Sequence, residues 1–172
     1  MVTITGNASA NTAPVVSAPL TMHCSEDAGR VGINLLEGAS DAEGSPLVIT
    51  GFKRTGGSAS GYSVKNGVLT IDTAQFNKLK HGEELTLTFT YLVSDGKLKT
   101  TQTLSMVIVG ANDAPVVKSA LRASASEDAA PLSVNLLSGA SDADGDALSV
   151  VSVVQSGGGQ RGFPRRRWGF AA

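Results

Sequence analysis

The chain has little cysteine, few aromatic residues and little charge. Its 172 residues include one cysteine, which rules out an internal disulfide framework. Charged residues make up 17% of the chain and the formal net charge is −1, so no overall positive field favours nucleic acid. Aromatic residues make up 5%, and no run of 18 apolar residues is available to span a membrane. We therefore expect no nucleic-acid partner and no direct membrane insertion.

Signals for catalysis and for an N-terminal export leader are also missing. The sequence has no serine, histidine and aspartate order typical of a triad, no phosphate-binding glycine loop and no carboxylate pair in a predicted cleft. Cys24 beside His23 lacks the second ligand cluster that a zinc site needs, so we interpret it as a small residue on a strand. No basic and then apolar signal peptide opens the chain, as expected for an internal fragment or for secretion through a C-terminal signal. We predict a protein that is not an enzyme.

The sequence contains an internal repeat. Residues 11–47 and 112–148 align without gaps at an offset of 101 residues, with 20 identities in 37 positions. A period near 101 fits a domain-sized unit rather than the shorter repeats of solenoids. Arrays of such units usually hold other domains apart or bind along their length, which predicts a structural or binding role.

The hydrophobic pattern is that of β-strands. Residues 84–93 alternate apolar side chains with threonines, which is typical of a half-buried strand. The Asn66-Gly67 pair favours a type I′ hairpin turn, and only residues 73–80 have the pattern of a helical turn. About seven strands are predicted in the first unit, near 15–24, 30–36, 46–53, 61–65, 68–72, 84–94 and 98–109. This pattern predicts an all-β fold, a sandwich of immunoglobulin-like architecture.

Clustered carboxylates are the chemical feature that both copies keep. Each copy has an acidic pair after its predicted first strand and an acidic group after its second. In the second copy this group is Asp142-Ala143-Asp144-Gly145-Asp146, whose carboxylates repel one another unless a cation lies between them. Oxygen ligands at this density favour Ca²⁺. An EF-hand is excluded, because Val153 stands where its last glutamate belongs. Solvated turn residues without metal are the alternative interpretation.

Four motifs in order give the chain a family resemblance. They are Asn112-Asp113-Ala114-Pro115, Ser126-Glu127-Asp128, Asn135-Leu136-Leu137 and Asp142-Ala143-Asp144-Gly145-Asp146. With residues 89–96 of the first copy, they resemble the bacterial cadherin-like repeats of large secreted adhesins, which often occur beside VCBS repeats and RTX modules. The resemblance covers residues 11–156 and implies a cadherin-like, seven-strand Greek-key β-sandwich. It also implies Ca²⁺ at the junction between repeats, bound by the end of one repeat's first strand, the linker, and the loop after the next repeat's second strand.

Strand direction assigns the acids to the two ends of the first unit. The turn after its first strand lies at the lower end, where the linker and the second unit follow. The junction site is therefore predicted to contain Glu26, Asp27, Asn112, Asp113, Asp142 and Asp144, with Glu83 or Glu84 as a further ligand. The upper end is predicted to hold a weaker site, half of which belongs to a preceding repeat; its residues here are Asn11, Asp41, Glu43 and Asp95.

The chain divides into four predicted segments. These are the end of a preceding repeat (1–10), a complete repeat (11–111), an incomplete second repeat (112–156) and an irregular tail (157–172). The second repeat keeps about three strands, whose unpaired edges predict poor order or pairing with another chain. The arginine-rich tail, which holds Trp168, is interpreted as a truncated or frame-altered coding end; the alternative is a contact for an anionic surface or RNA.

The predicted function is a Ca²⁺-stiffened spacer of an adhesin at the bacterial surface or outside the cell, exported by type I secretion within a larger protein. Its expected partners are neighbouring repeats of the same chain and a cell-surface or exopolysaccharide ligand. The alternative is a carbohydrate-binding module of a biofilm protein. For that role Phe52, Tyr62 and Phe76 are the candidate aromatic contacts, unless they belong to the core.

Overall fold

The computed structural model describes residues 10–126 and 128–154. The predictions made for residues 1–9, for Glu127 and for the 157–172 tail lie outside the described residues. The described chain consists of strands, loops and two single-turn 3₁₀ helices, Glu26–Ala28 and Thr73–Phe76. Within it, no helix has the length and apolar character needed to cross a membrane.

The first unit is a β-sandwich of two sheets. Its strands are β1 (Leu20–Ser25), β2 (Arg30–Asn34), β3 (Val48–Gly56), β4 (Ser63–Lys65), β5 (Val68–Asp72), β6 (Glu84–Ser94) and β7 (Lys99–Val109). One sheet has the order β1-β7-β6-β3 and the other β2-β5-β4, with β1 parallel to β7 and the remaining pairs antiparallel. The predicted seven-strand β-sandwich of immunoglobulin-like architecture is confirmed.

The core lies between the sheets and follows from the alternation in β6 and β7. Leu87, Phe89, Tyr91 and Val93 of β6 are fully buried, and the intervening threonines are less buried or exposed. Phe52 stacks on Phe89 at a ring-centroid distance of 5.2 Å, which joins β3 to this face. Burying a side chain of this size contributes about 1.5–3 kcal/mol, so the β6 face supplies much of the unit's stability.

A hydrogen bond across the core ties the two sheets together. The hydroxyl of Tyr91 donates to the carbonyl oxygen of Leu35 at 2.9 Å, and burial raises the pKa of Tyr91 to about 12. The predicted hairpin turn between β4 and β5 is present, with φ of 51° at Asn66 and 75° at Gly67. Such positive φ angles define the type I′ turn that these two residues favour.

The largest departures from the predicted limits are in β1, β3 and the helical turn; β2 also ends two residues earlier than predicted and β4 begins two residues later. β1 begins at Leu20 rather than near residue 15, because Pro19 has no N–H to donate; before it there is only an isolated bridge between Val15 and Ser40. β3 runs on to Gly56, with a break in register between Thr50 and Lys53. The predicted helical turn over 73–80 is a shorter 3₁₀ helix.

In its described part, the second unit forms only the strand pair that begins the repeat. Its described strands are β8 (Val116–Val117) and β9 (Ala140–Ser141), which pair antiparallel, so the prediction of about three strands there is wrong. The Val116–Ser141 pair lies 101 residues after the Val15–Ser40 bridge, which shows that the start of the repeat folds in the same way twice. Partner strands equivalent to β5, β6 and β7 are absent from the described part of this unit, so Leu132, Val134 and Leu136 remain exposed.

Candidate metal centre at the repeat junction

Glu26 is the buried carboxylate at the lower end of the first unit. It opens the first 3₁₀ helix and is 0% exposed. Its Oε1 accepts from the backbone N–H of Ala111 at 2.8 Å, and its Oε2 accepts from the N–H of Leu79 at 3.3 Å. A buried carboxylate is costly unless its charge is compensated, and two neutral donors compensate it only in part. Glu26 therefore holds the linker against the first unit and presents a buried carboxylate to which a cation could bind.

Asp113 brings a second carboxylate into the same place from the linker. Its backbone N–H donates to Oδ2 of Asp144 at 2.8 Å, and its own Oδ2 accepts from the side-chain amide of Asn77 at 3.2 Å. Desolvation raises the pKa of Asp113, and the nearby carboxylates of Asp144, Asp27 and Asp142 raise it further. These causes show that the environment disfavours the negative charge on Asp113 while no cation is bound.

The acidic loop of the second unit supplies the third carboxylate. Asp142 shapes this loop, because its Oδ1 accepts from the N–H of Asp146 at 3.1 Å, and Gly145 takes a φ of 76°. Asp144 is 6% exposed, and its Oδ1 is buried without a hydrogen-bond partner among the residues that the structure describes. Buried polar atoms are nearly always paired, so this oxygen lacks a partner that a bound cation would supply.

Glu26, Asp113 and Asp144 together form what we term the junction cluster. One carboxylate oxygen from each lies within 4.8 Å of the others. A second group of three, Asp142, Asp144 and Asp146, satisfies the same distance and shares Asp144. The hydrogen-bond donors to the junction cluster are backbone N–H groups and one amide, with no basic side chain among them. The cluster joins three segments that are far apart in sequence, and its all-oxygen donor set fits Ca²⁺.

Other predicted junction residues lie at the edge of this cluster. Asp27 is exposed and acts on Asp113 through its charge. Asn112 is exposed, and its side-chain amide donates to the carbonyl oxygen of Asp113 at 3.0 Å. Glu83 accepts from the N–H of Lys80 at 3.0 Å, and Glu84 is an exposed residue opposite Val109; neither belongs to the two carboxylate groups.

Two contributors were missed by sequence reasoning. Asn77 donates to Asp113, and the N–H of Leu79 donates to Glu26. The segment after the second 3₁₀ helix therefore contacts two of the junction carboxylates. Gly110 permits this approach, since an added Cβ would lie 2.7 Å from the carbonyl oxygen of Leu79 and still closer to that of Lys80. The sequence did offer one signal for Asn77: it directly follows the predicted helical turn, which lies at the lower end of the unit beside the junction.

The upper end of the first unit, here called the upper apex, holds Asn11, Asp41, Glu43 and Asp95. The amide of Asn11 donates to Asp95 at 2.8 Å, and the N–H of Thr12 donates to Glu43 at 3.1 Å. Backbone N–H bonds from Leu98 and Lys97, followed by the Asn11 amide, lower the pKa of Asp95. Among the described residues, the upper apex does not form a group of three clustered carboxylates. Its acids accept hydrogen bonds, but within the described part of the chain Oδ2 of Asp41 is buried without a partner.

A family model described as a cadherin-like domain matches residues 10–109 and 111–161. The chain belongs to the cadherin-like domain family. Cadherin-like domains are generally structural domains without enzymatic activity, and they generally bind Ca²⁺ and act outside the cell. No curated protein gives a significant match.

Two solved structures that resemble this cadherin-like chain are an endo-fucoidan hydrolase of glycoside hydrolase family 107 and a variant of the same enzyme. The first is 21% identical over 61% of this chain, with a TM-score of 0.40. The second is 22% identical over 66% of this chain, with a TM-score of 0.39. The chain spans 14% and 17% of those two proteins.

The remaining residues singled out in the sequence lie in the cadherin-like sandwich. Cys24 is half-buried in β1 opposite Ile108, and burial raises the pKa of its thiol. Phe76 is buried, while Phe52 and Tyr62 pack on the core in one aromatic cluster with Phe89. The three aromatic candidates for carbohydrate contact are therefore core residues.

Proposed function

We propose that the chain is a calcium-binding, non-enzymatic module of a bacterial adhesin, and that Ca²⁺ stiffens the junction between its repeats. The observation that carries this proposal is Asp144. It is 6% exposed, its Oδ1 has no hydrogen-bond partner, and it lies within 4.8 Å of carboxylates from the first unit and from the linker. A divalent cation is the ligand that such an oxygen set fits best.

The electrostatics explain how binding would act on the junction. Glu26 belongs to the first unit, Asp113 to the linker and Asp144 to the second unit, so their mutual repulsion drives these segments apart. A cation between them converts this repulsion into attraction. Because the ligands come from three segments, the bound ion would restrain both the bend and the rotation between repeats. Without it, the polar restraints at the cluster are the backbone bonds of Ala111, Asp113 and Leu79 and the Asn77 amide bond to Asp113.

The adhesin setting is part of the same proposal. Tandem family matches support a repeated spacer that extends another domain, and the VCBS-type and RTX-type adhesins are the proteins that best fit such an array. Extracellular Ca²⁺-binding modules have Kd values of about 10⁻⁴–10⁻³ M, which suits the calcium level outside cells. Export by type I secretion and contact with a cell surface or exopolysaccharide follow from this setting as proposals. The carbohydrate-binding alternative gains no support from Phe52, Tyr62 or Phe76, because these side chains lie in the core.

Thermal unfolding with and without Ca²⁺ tests the proposal. At tenfold excess over Kd, a ligand that binds only the folded state stabilises it by about 1.4 kcal/mol. For a domain of this size that corresponds to a rise in Tm of roughly 6–11 °C. We expect this rise in 10 mM CaCl₂ relative to EDTA, measured by calorimetry on the full chain, in which the first unit is the folded domain. A protein with two whole repeats that unfold together should show a rise of roughly 3–6 °C.

Sodium chloride at equal ionic strength is the matched control, because screening alone relieves part of the repulsion between exposed acids. Small-angle scattering on the two-repeat protein then measures the stiffening directly, as an increase in radius of gyration when Ca²⁺ is added. Identical melting curves in CaCl₂, NaCl and EDTA would rule out the calcium-binding function.

A further inference from the structure

The second 3₁₀ helix, Thr73–Phe76, is held in place at the lower end of the first unit by hydrogen bonds and core packing. Its N-cap, Asp72, accepts from the N–H of Ala74 at 3.1 Å. Thr73 is fully buried, and its hydroxyl donates to the carbonyl oxygens of Glu26 at 2.6 Å and Gly29 at 3.0 Å. Phe76 anchors the other end in the core. The residue that follows this helix therefore has a defined position relative to Glu26.

That residue is Asn77, and its amide donates to the linker carboxylate. The Nδ2 of Asn77 lies 3.2 Å from Oδ2 of Asp113. An ionised carboxylate only accepts hydrogen bonds, so the amide nitrogen is the group that faces it. Asn77 engages one oxygen of Asp113 and leaves the other for a cation. Two residues later, the N–H of Leu79 holds Glu26 in a similar way.

We propose that Asn77 is a positioning residue of the junction cation site, holding the carboxylate of Asp113 toward Glu26 and Asp144. This inference rests on the proposed calcium function and adds a residue from outside the acidic motifs to it. Groups that orient a metal ligand through a hydrogen bond typically change metal affinity 10–100-fold when removed. An amide suits this role because it donates without charge: a lysine would compete with the cation, and an acid would add to the crowding.

Calcium titration calorimetry on the full chain, with melting temperatures in EDTA, tests the role of Asn77. The variant Asn77→Ala frees Asp113, and we expect its Ca²⁺ affinity to fall about tenfold, the lower end of the range, because Asn77 is half-buried rather than buried. The variant Asn77→Asp places a fourth carboxylate at the cluster. We expect it to melt lower than the wild type in EDTA, because repulsion replaces the hydrogen bond to Asp113, and to respond to Ca²⁺ more strongly than Asn77→Ala, because the new carboxylate is itself a possible ligand.

The matched control is Gln75→Ala on the same 3₁₀ helix. Gln75 bonds to Ser60 and to the carbonyl of Asp72 and does not touch the junction, so its loss should leave Ca²⁺ affinity unchanged. Wild-type affinity in Asn77→Ala overturns the positioning role while the calcium function stands. An absence of Ca²⁺ binding in the wild type overturns both.

Discussion

The two repeats bury different parts of the same motifs. Leu35 of the first unit is 1% exposed, whereas its equivalent in the second unit, Leu136, is 46% exposed. The acids show the reverse: Glu43 is exposed, whereas its equivalent, Asp144, is buried at the junction. Local sequence fixes the turn in both copies, but neighbouring elements decide what each turn buries. For the leucines those neighbours are β5, β6 and β7, and for the acids they are the preceding repeat and the linker.

Backbone contacts show how closely the first segments of the two repeats otherwise agree. The N–H of Thr12 donates to Glu43, and 101 residues later the N–H of Asp113 donates to Asp144. In the same loops, Asp41 accepts from the N–H of Ser45 and Asp142 accepts from that of Asp146. The loop is thus built the same way in both repeats. The loop of the second repeat lies against the lower end of the first repeat, where Glu26 is buried. That contact makes this copy of the loop part of the crowded junction cluster.

The largest expected effect concerns the two leucines. Leu35→Ala removes a buried side chain from a closed core, and such changes cost about 2–5 kcal/mol in unfolding free energy. Leu136→Ala acts at an exposed site, where changes are usually within about 0.5 kcal/mol. Urea unfolding of each variant, followed by circular dichroism, measures the difference. Equal losses in both variants would mean that the second unit has a packed core of its own, contrary to the structure.

A second prediction concerns the packing of the linker against the first unit at Gly110. Gly110→Ala places a methyl group against the carbonyl oxygens of Leu79 and Lys80, and this overpacking is expected to cost about 1–3 kcal/mol and to displace Ala111 from Glu26. Calorimetry in EDTA gives the stability loss, and the Ca²⁺-induced shift in Tm should shrink as well. Gly32→Ala is the control, because its Cβ would meet its nearest neighbours at 3.5–3.6 Å. If Gly110→Ala and Gly32→Ala have the same melting temperature in EDTA and the same Ca²⁺-induced shift, the linker does not pack against Leu79 and Lys80.

Much of the first unit could be predicted from the sequence because its strands carry strong local patterns. The predicted limits of β5 and β6, 68–72 and 84–94, match those observed, and the alternation in β6 identified its buried face. The start of β1 was misjudged because the effect of Pro19 on pairing was not considered. In the second unit the missing partner strands were anticipated, but about three strands were predicted and the described residues form only the short pair β8 and β9.

The candidate site was predictable in its composition but not in its details. Strand direction indicated that Glu26, Asp113 and Asp144 share one end, and the structure brings these three together. A sequence pattern contains no measure of how deeply each acid is buried, so the unpartnered oxygen of Asp144 was not foreseen. Asn77 was missed because a single amide after a turn has no distinctive spacing, and its role depends on how Thr73 fixes that turn to Gly29.

The smallest expected effect concerns the buried Asp144, which is compared with its exposed equivalent, Glu43. Asp144→Asn keeps the shape of the side chain and removes one negative charge from the junction cluster. In EDTA the variant should melt at or above the wild-type temperature, because the repulsion on Asp113 is reduced. In 10 mM CaCl₂ it should lose most of the shift of roughly 6–11 °C expected for the wild type. The sign of the change therefore depends on calcium, which calorimetry in the two buffers measures.

The matched variant at the upper apex is Glu43→Gln. Glu43 is exposed and accepts from both the N–H and the hydroxyl of Thr12, bonds that a glutamine oxygen can also accept. Because the lower end of another repeat is not seated on Glu43 in the described structure, its charge is screened by water and its loss should leave the Ca²⁺ shift intact. A calcium response that disappears in Glu43→Gln and survives in Asp144→Asn would place the principal cation site at the upper apex. It would show that burial between repeats is not what makes this loop bind metal.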